Sequence, residues 1–271
     1  MDALRTDEVI DGLDSVWSST LEATNGLSPE QWATPTACPG WDVQDQLAHL
    51  VGIERSLQGV ESPKIELGER GYLKNPIGEM NEQWVEFLRT RSGNDVRDEF
   101  ATVTAERLAS LRSFSEETFD EIGWSPVGQV PMRKFMEIRI MDSWLHEQDI
   151  RFALDRPGGR NGIGEAVTIG RVDLALGVVV GKGSGAEEGE SVAFEIEGPL
   201  GGRRRIEIVE GRAKPMEGPE ATCTISMSQE TYVRRFGGRI SPEEALSAEG
   251  TKIAGNATMG AASLRALSVM I

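Results

Sequence analysis

The sequence predicts two parts of different class: a helical bundle over residues 1–157, then a small α+β domain over residues 160–271. Three observations carry this. Apolar residues recur at helical spacing through the first part. The stretch "DRPGGRNGIG" then breaks the pattern with Gly and Pro. Beyond it, short segments alternate apolar and polar residues, as half-buried strands do. At roughly 100–200 residues per domain, the chain has room for one large domain or two ordinary ones.

"TDEVIDGLDSVWSSTLEAT" places Val9, Ile10, Leu13, Val16, Trp17 and Leu21 on one helical stripe. "LSPEQWATPTACPG" is turn-rich, with Ser28 suited to cap a short helical turn. "WDVQDQLAHLVGIERSLQGV" starts a second long helix, with Asp42 as N-cap and Val43, Leu47, Leu50, Val51 and Leu57 on its apolar face. "ESPKIELGERGYLKNP" reads as a long loop, and residues 61–76 are a candidate cover for a site. "IGEMNEQWVEFLRTRS", "NDVRDEFATVTAERLASLRSF" and "VPMRKFMEIRIMDSWLHEQDIRFALD" complete the helices, and mostly short returns suggest an up-down bundle. In the second part, "EAVTIGRVDLALGVVV" is helical. "SVAFEIEG", "RRIEIVEG" and "ATCTISMS" are strands, and "SQETYVRRFGG" and "SPEEALSAEG" are short capped helices. "GTKIAGNATMGAASLRALSVMI" closes with a strand-like piece and a helix.

Charge and composition exclude several functions. The net charge of -16 opposes a phosphate backbone, so nucleic-acid binding is not expected. Arg203, Arg204 and Arg205 are adjacent but fit the solvated end of a strand. "VDLALGVVVG" is far shorter than the ~20 residues of a membrane helix. "MDALRTDEVIDGL" has no basic start followed by an apolar core, so a cytoplasmic protein is expected. Two cysteines, Cys38 and Cys223, give no disulfide framework. The glycines of "GRNGIGEAV" follow no predicted strand and form no dinucleotide fingerprint.

The chemistry-bearing stretch is "MDSWLHEQDIR". Asp142, His146 and Asp149 share one helical stripe amid Ile138, Ile140, Trp144 and Leu145. Part of that stripe therefore faces the bundle interior, where ionisable groups are costly unless paired or ligating a metal. The other histidine, His49, lies beside the apolar face of the second long helix. His49, Asp142 and His146 are candidate metal ligands, and three protein ligands leave a coordination position open. Asp149 would then support the site or pair with Arg151, and Asp45 could serve His49 likewise. The plainer alternative is that each histidine is a hydrogen-bonded core residue, and spacing alone does not decide. Cys38, beside a helix N-terminus, suits a nucleophile or, more commonly, a small packed group. Trp41 fits a staple closing the turn.

"TPTACPGWDVQDQLAHLVGIE" resembles the signature of the mycothiol-dependent maleylpyruvate isomerase family, a branch of the DinB-like metal-binding bundles. In that family a Cys-Pro-Gly-Trp turn leads into a helix bearing the first metal histidine, and His49 falls on that position. A carboxylate four residues before a second histidine, with an aspartate three after it, is matched by Asp142, His146 and Asp149. The stretch "MSQETYVRRFGGRISPEEALSAEGTKIAGNATMGAASLRAL" resembles the sterol-carrier-type domain that accompanies such bundles. The family's carboxylate is commonly Glu. With the shorter Asp142, an ion must sit nearer the helix or bind through water.

The resemblance implies a divalent metal, zinc by preference, and mycothiol as co-substrate. The metal would activate the thiol as a thiolate toward a small electrophile, in an isomerase or an S-transferase. Arg151 or Arg139 could receive a substrate carboxylate, with Asp149 as the other candidate catalytic residue. Two other classes stay open. One is a different metal-dependent enzyme, a hydrolase or Fe(II) oxygenase. The other is a non-catalytic small-molecule or lipid-binding protein. A monomer or homodimer is expected.

Overall fold

A computed structural model describes residues 4–268. Residues 1–3 and 269–271, which open and close segments quoted above, lie outside the described residues. Contacts divide the chain between Val167 and Thr168 into two units.

In the first unit, α1 (Thr6–Ala23), α3 (Val43–Leu57), α5 (Gly93–Arg112) and α7 (Met132–Ala153) form a four-helix bundle. α1 packs on α5 and α7, and α3 packs on the same two helices from the opposite corner. Thus α1 and α3 are diagonal, and the simple up-down order expected from short returns does not hold. The reason lies in two long connections. One carries the short helix α2 (Pro29–Trp32). The other carries α6 (Glu116–Asp120) and an antiparallel hairpin, β1 (Ile122–Ser125) with β2 (Gly128–Pro131). α4 (Pro76–Leu88) packs on α3. The predicted stripe of α1 is buried at Val9, Ile10, Leu13, Val16 and Trp17, and that of α3 at Val43, Leu47, Leu50 and Val51.

The start of α3 is built tightly. The Asp42 carboxylate accepts from the Asp45 N–H at 3.0 Å, and Asp45 returns the bond to the Asp42 N–H at 3.1 Å. This capping box satisfies donors that a helix end otherwise leaves open. Before it, the Trp41 N–H donates to the Cys38 carbonyl at 3.1 Å across Cys38-Pro39-Gly40-Trp41. Gly40 has φ +78°, the backbone that the third position of a type II turn demands. The turn sets Cys38 and Trp41 at its two ends, beside α3.

α8 (Ile163–Val178) crosses the division between the units. The second unit holds a five-stranded sheet ordered β5-β4-β3-β6-β7. Its strands are β3 (Ser191–Glu197), β4 (Gly202–Val209), β5 (Arg212–Pro215), β6 (Cys223–Ser228) and β7 (Lys252–Gly255). β3 and β6 run parallel with Phe194 opposite Ile225, and the other pairs are antiparallel. α9 (Gln229–Phe236) and α11 (Ala257–Ala266) pack on β3 and β6, and α10 (Pro242–Ser247) packs on α9 and α11. The β3 residues Val192, Ala193 and Phe194 are fully buried. This is the expected α+β class. Arg203, Arg204 and Arg205 each pair with a carboxylate, of Glu195, Asp173 and Glu207 respectively, so they form no open basic patch. No described helix is long and apolar enough to cross a membrane.

The turn geometry gives a direct test. A Cβ at Gly40 would lie 2.7 Å from the Tyr72 ring, whereas one at Gly26 (φ +66°) would meet nothing. Both Ala variants bear left-handed strain, of about 1–3 kcal/mol, but only Gly40→Ala also displaces Tyr72. Urea denaturation is expected to show Gly40→Ala as the more destabilised of the two.

Candidate metal centre

Because α3 and α7 are neighbours, His49 faces Asp142 and His146 across their interface. His49 Nε2 lies 3.4 Å from Asp142 Oδ2, and His146 Nε2 lies 3.6 Å from Asp142 Oδ1. The imidazole centroids are 4.4 Å apart. One ligand atom from each of the three residues falls within 4.8 Å of the others. Ligands held tetrahedrally at about 2.0–2.2 Å from zinc stand ~3.4 Å apart, so these separations match a three-donor set. The shorter Asp142 side chain still reaches both histidines.

His49 is 3% exposed, and its Nδ1 has no hydrogen-bond partner. Core and ligand histidines alike satisfy their outer nitrogen, so the ligand reading rests on the Nε2 side. There the polar contact of His49 is with Asp142, toward the cluster. Asp45 does not support His49: its carboxylate completes the α3 capping box and binds Arg89 at 2.9 and 2.8 Å.

Hydrogen bonds define the His146 tautomer. Thr36 Oγ1 donates to the Trp41 carbonyl at 2.9 Å, so it accepts from Gln46 Nε2 at 2.6 Å. Gln46 therefore turns its oxygen to His146, and that oxygen can only accept. His146 Nδ1 therefore carries a proton, and Nε2 is the nitrogen that faces Asp142 and His49, free to ligate once an ion displaces its own proton.

The carboxylate is held by charge. Arg139 donates to Asp142 and, at 2.9 Å from Nε, to Glu54. Glu54 also lies 3.4 Å from Arg107. Burial works to raise the Asp142 pKa, but Arg139 and His146 overcome it and hold the group well below the usual carboxylate range. Burial, then the charge of His146, lowers His49 to about 4. Burial also works against a charged His146, but Asp142 outweighs it and raises the group to about 9.

The remaining candidates divide. Asp149 joins the cluster from the other side: its Oδ2 is 3.6 Å from His146 Nδ1 and 3.4 Å from Cys38 Sγ. Arg151 does not join. Its guanidinium binds Glu147 at 2.6 Å and the Ser19 hydroxyl at 3.0 Å, tying α7 to α1, because five residues along a helix turn it away from His146. Arg139 reaches the site but is committed to Asp142 and Glu54. Beside the cluster lies a cleft of about 470 Å³, lined by Cys38, Trp41, Asp45, Arg70, Tyr72 and Arg89 among others. Trp41 is more than a staple: its ring lies 5.1 Å from His49 and 6.0 Å from His146. Arg70 and Tyr72 bring the 61–76 loop to this cleft, where both bind Glu82. Sequence reading missed Gln46 and Arg89. Gln46 carried a signal, being one turn before His49 on the same helix, whereas Arg89 reaches the cleft from beyond the end of α4.

A helical bundle with a buried His-His-Asp cluster, joined to an α+β unit, defines the class of the protein. The model of the mycothiol maleylpyruvate isomerase N-terminal domain family matches residues 13–151, more than half of the chain, and the chain belongs to that family. Two solved structures agree in fold, a mycothiol-dependent maleylpyruvate isomerase (TM-score 0.56) and a histidine-to-alanine mutant (TM-score 0.59). Each is 16% identical in sequence, and each comparison covers 93% of both chains. No curated protein matches the chain.

Metal-free protein is expected to be most stable near pH 6.5, as far as its histidines decide. His49, lowered to about 4, contributes stability that is lost as pH falls from 6.5 toward 4. His146, raised to about 9, contributes stability that is lost as pH rises from 6.5 through 9. Each limb has a slope of about 1 kcal/mol per pH unit. Urea titrations in chelator should show both limbs, with His146→Ala flattening the alkaline one.

Proposed function

We propose that this protein is a metal-dependent enzyme that uses mycothiol as a nucleophile toward a small electrophilic substrate, as an isomerase or an S-transferase. The carrying observation is the buried three-donor set of His49, Asp142 and His146, with a cleft of about 470 Å³ lined by Trp41, whose ring lies against both imidazoles. A divalent ion bound there, zinc by donor preference, lowers the pKa of a coordinating thiol and so supplies a thiolate at neutral pH.

The chain's own groups prepare that chemistry. Arg139 keeps Asp142 ionised and directed at the histidines. Gln46 holds the His146 proton on Nδ1, leaving Nε2 for ligation. Trp41 covers both imidazoles and limits water at the donors. Arg70 and Arg89 are the guanidinium groups that reach the cleft, and an anionic substrate group would share them with Glu82 and Glu86. The substrate's fit in the cleft decides between isomerase and transferase: a conjugated double bond that rotates and expels the thiol, or an electrophile that retains it. An enzyme that uses a reduced thiol works where that thiol is kept reduced, and we place it in the cytoplasm.

The test combines metal analysis with turnover of maleylpyruvate, or of a chlorinated aromatic electrophile, in the presence and absence of mycothiol. About one zinc per chain and thiol-dependent turnover are expected. His49→Ala and His146→Ala should each lose the metal and lower kcat/KM at least ~100-fold. Thiol-independent turnover, or iron in place of zinc with oxygen consumption, would overturn the reading.

A further inference from the structure

The two nitrogens of His146 look into different donor sets. Nε2 faces Asp142 and His49, the set described above. Nδ1 faces Asp149, whose Oδ2 is 3.6 Å away, and the same oxygen is 3.4 Å from Cys38 Sγ. Ligand atoms of Cys38, His146 and Asp149 all fall within 4.8 Å of one another. A tetrahedral ion with sulfur at about 2.3 Å and nitrogen or oxygen near 2.1 Å holds its ligands ~3.4–3.6 Å apart. The two separations to Asp149 are therefore coordination distances, and an ion takes the place of Gln46 Oε1, which now lies against Nδ1 and 3.8 Å from Cys38 Sγ. His146 and Asp149 are buried, whereas Cys38 is partly exposed and lines the cleft, which gives an ion an entry path.

We propose that Cys38, His146 through Nδ1, and Asp149 form a second cation position, selective for soft, thiophilic divalent ions, and that filling it withdraws His146 from the first. The selectivity follows from the thiolate, a softer donor than the nitrogen and oxygen of the first set. The antagonism follows from proton bookkeeping. In the hydrogen-bonded arrangement, Nδ1 carries an imidazole proton and Gln46 accepts it. Ligation at Nδ1 releases the Nδ1 proton and the Cys38 thiol proton to solvent, and Nε2 keeps its proton, with Asp142 Oδ1 3.6 Å away. With Nε2 protonated, His146 cannot ligate in the first set. The two positions therefore compete for one imidazole, and a thiophilic ion acts as an inhibitor entering from the cleft. The cation-binding claim stands apart from the proposed function; only the inhibition rests on it.

Cadmium is the probe, because a cadmium–thiolate bond has its own ultraviolet charge-transfer absorption. Metal-free protein titrated with Cd²⁺ should develop this band, saturating at about one equivalent. Cys38→Ser should abolish the band, Asp149→Asn should weaken cadmium binding at least ~10-fold, and His49→Ala should retain the band. Circular dichroism of each variant, checked against wild type, separates loss of ligand from loss of fold. Zinc loaded beforehand should suppress the band. No band in the wild type, or a band that survives Cys38→Ser, overturns the second position. A band lost in a folded His49→Ala variant also overturns it, since Cys38 would then belong to the first set. A band indifferent to bound zinc overturns the competition. Failure of zinc to bind at all would defeat the proposed function, yet leave the Cys38→Ser and His49→Ala comparison decisive.

Discussion

Asp142 is a carboxylate inside a helical bundle, and the polar interior of that bundle is arranged to keep it ionised. Opposite charges alternate inward from Arg107 through Glu54 and Arg139 to Asp142, drawing on α5, α3 and α7. A buried ion pair does not by itself imply stability, because desolvation consumes most of the Coulomb gain. Breaking one is costly, since it strands the partner. The ladder is therefore best understood as a device that holds a charge where function needs it. Two histidines in unlike states follow from the same source: His146 is drawn toward its charged form by Asp142, and His49 is driven from it by burial and by His146. An incoming divalent ion would replace the His146 proton in a field already suited to positive charge.

Much of this was legible in the sequence, for reasons that can be stated residue by residue. Amphipathic spacing marked α1 and α3 because their apolar stripes are simple and one-sided. Asp42 was readable as a cap, because the cap is local. Asp142, His146 and Asp149 could be grouped because they share one helix. His49 could be offered beside them because both histidines fall on bundle helices, but only the resemblance to a known family favoured that grouping, since spacing within a helix says nothing about which helices are neighbours. The diagonal placement of α1 and α3 was illegible for the same reason. The β1–β2 hairpin went unread because "IGWSPVGQVP" exposes Ile122, Trp124 and Val127, so burial leaves no alternation to read. Arg151 misled because a guanidinium near a histidine in sequence can point away from it, toward α1.

The Cys38-Pro39-Gly40-Trp41 turn shows how much a short motif can carry. Pro39 and Gly40 supply the backbone of the turn, Cys38 and Trp41 stand at its ends, and Asp42 caps the helix that follows. Thr36, just ahead, anchors Gln46 and through it the proton of His146. Thr36 reaches the imidazole through two hydrogen bonds, one to Gln46 and one from Gln46 to His146.

The diagonal arrangement of α1 and α3 has a consequence for how the protein comes into being. α3 gains its two bundle neighbours only from α5 and α7, both later in the chain, and the Asp142 and His146 donors arrive with the last bundle helix. During synthesis His49 is exposed long before any partner exists for it. Closure of the bundle is a contact of long sequence separation, which is slow because loop entropy must be overcome first. The donor set is therefore a late product of folding. A metal ion cannot nucleate this fold as it does in a zinc finger; it can only reward a chain that has already closed.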